Sequence, residues 1–188
     1  MEAQAQKTLA DPRAVVLVEG ISDRLAVEAL AERRGRDLAT EGTSVIAMGG
    51  AHAIDRYVAQ YGPQGLGVRL SGLCDAGEER HYRRSLERAG LGANLTRADL
   101  EHLGFYVCNA DLEDELIRAL GAARVEQVIE SEGDLGAFRT LQKEPAWRGR
   151  PVEAQLHRFM KTRYPPLLVR ALDADEIPRP LAELLAHI

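Results

Sequence analysis

Residues 15–35, VVLVEGISDRLAVEALAERRG, decide how the rest of the chain is read. Residues 15–18 are short, mostly β-branched and unbroken by polar side chains, the pattern of a strand buried on both faces of a parallel sheet. The run ends on Glu19 and turns at Gly20. From there Leu25, Ala26, Ala29 and Leu30 recur at helical spacing until Arg33, Arg34 and a terminating Gly35. Strand, tight turn and helix therefore follow one another, with Asp23 in the first helical turn. Glu19 falls at the carboxyl end of the strand, the edge where open α/β sheets hold their ligands.

The same unit recurs downstream. Residues 43–48 read as a second strand closed by Gly49-Gly50, with a helix over 51–61. Residues 67–74 read as a third strand ending on Asp75, followed by an Arg-rich helix over 78–89. Thr96 and Asp99 form a capping box for a short helix. Residues 105–108 give a fourth strand; Asn109 or Asp111 then caps a helix whose apolar side is Leu112, Leu116, Ile117 and Leu120. Strands alternating with helices predict an α/β domain over 14–121, with a roughly four-stranded, largely parallel sheet flanked by helices and a tail over 1–13. From Ala122 onward only helices are expected, over 122–131, 134–143, 152–163, 166–172 and 180–187, as a helical C-terminal extension packed on the sheet. Residues 143–151, KEPAWRGRP, are the expected loop.

With 188 residues, 45% of them hydrophobic, the chain can build a full core without disulfides. Cys74 and Cys108 stand in no CxxC pair and read as small buried strand residues in a reducing cytoplasm. No apolar run reaches membrane-spanning length, and the opening MEAQAQKTLADPR lacks a signal peptide's apolar centre, so a cytoplasmic protein without membrane contact is expected. A net charge of −5 argues against broad non-specific nucleic-acid binding. Two basic stretches nevertheless flank the acidic positions: Arg80, Arg83, Arg84 and Arg88, then Arg139, Lys143, Arg148, Arg150, Arg158, Lys161, Arg163 and Arg170. That pattern suits an enzyme acting on a phosphodiester, and equally the solvated faces of helices. No serine lies in a GxSxG elbow. His52 follows the glycine pair and is a candidate for the rim of a site, whereas His81, His102, His157 and His187 show no ligand spacing.

Three expected strand ends carry acids: Glu19 with Asp23, Asp75, and Asp111 with Glu113. Each acid alone is what a helix N-cap or first turn favours. Repeated along one sheet edge, they form a self-repelling cluster that needs a cation, and oxygen ligands without His or Cys select Mg²⁺ or Mn²⁺.

The motif VLVEGISD, the Gly49-Gly50 pair and LCDAGEE resemble the TOPRIM domain shared by topoisomerases, bacterial primases and several nucleases. CNADLEDELIRALG (108–121) and FMKTRYPPLLVRALDADEIPRPLAELL (159–185) are similar to the C-terminal TOPRIM nuclease region of OLD-family ATP-dependent endonucleases. The resemblance implies a nuclease that cuts or nicks DNA with bound Mg²⁺ or Mn²⁺. Glu19, Asp23, Asp75, Asp111 and Glu113 would then be the metal-binding acids, with Glu19 and Asp75 central to catalysis. Lys161 would be the cation near the scissile phosphate, with Arg163 as its alternative or as a substrate contact. Gly20, Gly49 and Gly50 would let the backbone approach the substrate. Two departures stand out: the Asp-x-Asp of the family is Asp75-Ala76-Gly77 here, leaving Glu78 or Glu79 to substitute, and no GxxxxGK[ST] motif occurs. A separate ATPase subunit is the partner this implies, while the acidic composition with few basic residues to spare suggests a homodimer that builds a DNA channel. The alternatives are a catalytically weakened module that binds nucleic acid or nucleotide, and an RNA-directed nuclease or nucleotidyl transferase.

Overall fold

The computed structural model describes residues 12–160 and 162–188. Its strands are β1 (Ala14–Val18), β2 (Thr43–Ala47), β3 (Arg69–Asp75) and β4 (Phe105–Cys108). All pairings are parallel, in the order β2-β1-β3-β4, so the sheet is wholly rather than largely parallel. β1 lies inside the sheet and is buried along its whole length, as its unbroken apolar run requires.

The helices are α1 (Ile21–Arg33), α2 (Ile54–Tyr61), α3 (Glu79–Arg88), α4 (Arg97–His102), α5 (Leu112–Leu120), α6 (Ala122–Ser131), α7 (Leu135–Lys143), α8 (Val152–Phe159), α9 (Tyr164–Ala171) and α10 (Arg179–His187). Alternation along the strands divides the core between two faces. Val15, Leu17, Leu70, Cys74, Phe105 and Val107 pack with α2, α3 and α4. Val16, Val18, Leu73, Tyr106 and Cys108 pack with α1 and the helices from α5 onward. Both cysteines are buried and free. No helix among the described residues is long and apolar enough to cross a membrane.

The C-terminal helices are fastened to this second face. α9 lies along α1, and arginines donate to carbonyls near the helix ends: Arg33 to Val169 O (2.5 Å), Arg124 to Ala171 O (2.5 Å) and Arg36 to Leu185 O (2.6 Å). Those carbonyls belong to last turns that have no helical partner of their own.

Three expected helices come out differently. Residues 51–61 begin as a single 3₁₀ turn (Ala51–Ala53) before α2, because Gly49 (φ 80°) and Gly50 (φ 120°) are left-handed and delay the α conformation. The helix expected over 152–163 stops at Phe159, and α9 begins at Tyr164 rather than Pro166. Pro165 and Pro166 are tolerated only in a first turn, so the chain breaks ahead of them. The break lets Phe159 pack its ring against Phe138 (5.3 Å between centroids) and Tyr164 (6.0 Å).

Candidate functional site

The carboxyl ends of β1, β3 and β4 open onto one cavity of about 580 Å³. Glu19, Asp23, Asp75, Asp111 and Glu113 line it, together with Gly20, Gly49 and Gly50. Eight sequence-predicted site residues are therefore brought together. Lys161 lies outside the described residues. Arg163 does not line the cavity: its guanidinium bonds Asp134 (2.5 Å), lies 3.7 Å from Glu132 and stacks over the Tyr164 ring. His52 is likewise outside the lining and meets the His81 ring edge-on at 5.1 Å.

Local chain geometry fixes each acid. Asp23 Oδ2 accepts the Gly20 N–H at 2.7 Å, so it caps α1 while lining the cavity. The Glu19 carbonyl accepts the amides of both Gly49 and Gly50 at 3.0 Å. This pair of hydrogen bonds ties the end of β1 to the left-handed turn after β2. A Cβ at either glycine would meet nothing within 4 Å, so it is the positive φ that demands glycine there. Asp111 caps α5 by accepting the Asp114 N–H at 2.8 Å. Its other oxygen lies 2.7 Å from Nε2 of His157, an exposed residue in the last turn of α8.

Ser22 and Met160 also line the cavity, and His157 is the titratable lining residue that sequence reasoning passed over. It stands 46 positions from Asp111, and only the packing of α8 on α5 joins them. Several of the expected basic residues pair with acids away from the cavity: Arg139 with Glu126, Arg170 with Glu32 and Arg88 with Asp55. No Lys or Arg is among the described residues lining the acidic cavity.

The consequence is electrostatic. Burial raises the Asp75 carboxyl to about 8, helped by the charges of Glu19, Asp111, Asp23 and Glu113. Burial likewise raises Asp23 to about 7, against the Gly20 N–H that lowers it, with Glu113, Glu19 and Asp111 pushing upward. Glu19 is also raised, by burial first, then by Glu78, Asp111 and Glu113, while the long bond from the Asp75 N–H (3.4 Å) lowers it. Each acid therefore senses the others. A raised carboxyl keeps its proton in the folded state after the unfolded chain has lost it, so its contribution is lost as pH rises through the folded value. The metal-free protein should thus melt at progressively lower temperature from about pH 4 to about pH 8, and Asp75→Asn should flatten the slope. Thermal unfolding in EDTA measures this; a level curve would mean the cluster is well solvated.

The carboxylate oxygens suit a hard cation, the His157 imidazole is engaged with Asp111, and both thiols are buried with their pKa pushed up by burial. Among the described residues no three His, Cys, Asp or Glu side chains stand close enough to clasp one ion. The acids surround a volume instead, as in sites that leave positions for water and phosphate oxygens. Glu79 is held by Arg97 and by Arg83, at 3.8 Å, so it is not free to replace the acid missing at Gly77; Glu78 is the one whose charge reaches Glu19.

The family described as "Overcoming lysogenization defect protein-like, TOPRIM domain" matches residues 12–76, which carry β1, α1, β2 and β3. Two crystal structures of the C-terminal region of the Xanthomonas campestris pv. campestris OLD protein are 27% and 28% identical to the chain, with TM-scores of 0.70 and 0.72. Each covers 94% of this chain, which in turn covers 94% and 92% of those chains. The C-terminal region of the Burkholderia pseudomallei OLD protein shares the fold at 23% identity, with a TM-score of 0.71 and coverage of 94% and 96%. With its wholly parallel sheet, strand-end acids and C-terminal helices, the chain has a fold that matches the TOPRIM family model over residues 12–76 and resembles the C-terminal region of OLD proteins over most of its length.

Proposed function

We propose that the chain is a divalent-metal-dependent nuclease that cleaves DNA phosphodiesters at the acidic cavity. One observation carries this reading: acids from three strand ends and α5 face one open cavity that no described Lys or Arg lines. Glu19, Asp23, Asp75, Asp111 and Glu113 would hold Mg²⁺ or Mn²⁺. When bound, such ions activate water and stabilise the leaving oxygen. The chain's own residues orient and make room. The His157 contact sets the Asp111 carboxylate, Asp23 fixes the entry to α1, and the Gly49-Gly50 turn leaves space for a phosphate to approach. Lys161 remains our choice for the cation near the scissile phosphate. The proposal includes a cytoplasmic setting, an ATPase supplied as a separate subunit, and a homodimer that frames the DNA.

Gly77 favours a second reading, a module that binds one ion and nucleic acid with little turnover, because Glu79 is committed to Arg97 and Arg83. Incubation with supercoiled plasmid separates the two. Nicking that requires Mg²⁺ or Mn²⁺ and stops in EDTA is the expected result. Well-folded protein that binds DNA without nicking it would favour the module.

A further inference from the structure

We propose that the groove beside the acidic cavity is a subsite for an unpaired base and its phosphate, so that the substrate has single-stranded character next to the cut; this rests on the nuclease reading above. The groove has a volume of about 530 Å³ and is lined by Trp147, Leu141, Phe159, Met160, Arg158 and Glu144, among others. Met160 also lines the acidic cavity, so the two adjoin there. The last turn of α8 divides them: His157 lines the acidic side and its neighbour Arg158 the groove.

The ring is presented on an anchored loop. The Trp147 N–H donates to Glu144 O (2.9 Å), and the Trp147 carbonyl accepts from the buried Gln155 side chain (2.9 Å), which itself accepts from Gln142 (2.7 Å). Arg150 lies over the indole, 5.1 Å from its centroid. Among the described residues Arg158 has no hydrogen bond or ion pair, unlike Arg139 and Arg163, which are held by acids. Lys143, Arg148 and Arg150 are exposed and neighbour the lining residues Glu144 and Trp147 along the chain, and Glu144 is the one carboxylate among the described lining residues. An indole and guanidinium planes stack on any base, and free cations answer backbone phosphates. A strand whose phosphodiester sits at the acids can therefore pass Met160 and lay its next base against Trp147.

Trp147 is the chain's single tryptophan, so its fluorescence reports on this groove alone. Glu19→Ala protein in EDTA, which cleaves nothing under the nuclease reading, is titrated with a short oligothymidylate. Saturable quenching is expected, weaker by roughly tenfold in affinity for Arg158→Ala and declining with salt. Anisotropy of the same oligonucleotide carrying a dye should show Trp147→Phe retaining binding and Trp147→Ala losing it. Binding by anisotropy without quenching, or undiminished binding by Arg158→Ala, overturns the subsite. Metal-dependent plasmid nicking is read separately, so the nuclease reading survives those outcomes and fails only with the nicking.

Discussion

Glu19→Ala should abolish metal-dependent nicking while leaving the metal-free protein at least as stable as the wild type. Glu19 ends the central strand and is half-buried, and its charge raises the pKa of both Asp75 and Asp23. Removing it takes a ligand from the proposed site, with an expected loss of roughly 100-fold or more in cleavage rate. It also removes one member of a self-repelling cluster, so the melting temperature in EDTA should hold or rise. A residue needed mainly for packing behaves in the opposite way, losing stability together with activity. Plasmid nicking and thermal unfolding on the same preparation test both halves. Undiminished cleavage by the variant would place the site elsewhere.

Gly72→Ala should be among the most destabilising single-methyl changes the sheet can receive. Gly72 pairs with Leu17 of β1 on one side and Phe105 of β4 on the other. A Cβ there would lie 2.3 Å from the Leu17 carbonyl and 3.2 Å from the Phe105 ring. The carbonyl belongs to a strand fixed on both sides and cannot swing away, so the sheet must open. Overpacking of this kind costs about 1–3 kcal/mol, and each kcal/mol lowers the melting temperature of a domain this size by about 2–4 °C. Opening the β1–β3 seam would also move Glu19 away from Asp75, so activity should fall with stability. A variant melting with the wild type would show that the strands already stand further apart.

Much of this architecture was legible because parallel strands announce themselves. β1 and β4 are short apolar runs, and β1 and β3 end on or beside an acid, while the capping residues Thr96 and Asp111 mark helix starts that the structure reproduces at Arg97 and Leu112. Helix ends were harder to read. Periodicity carried α8 through to Arg163, whereas the tandem prolines and the packing of Phe159 stop it earlier. The gathering of the acids was readable because a parallel sheet puts strand ends on one edge. His157 was not, since its place depends on how α8 docks, and neither was the Trp147 groove, built where a loop meets two helices. The basic stretches left two readings open because charge along a sequence does not reveal which cations acids elsewhere have already claimed.

The strand order has a further consequence, for the nascent chain. β1 leaves the ribosome ahead of both strands that flank it, and α1 keeps its apolar face bare until α9 and α10 have been made. Hydrophobic surface on α1 therefore stays open to chaperones and to aggregation until those helices follow it off the ribosome. A cut ahead of α9 would uncover the α1 face that α9 covers, leaving a fragment that exposes part of the core.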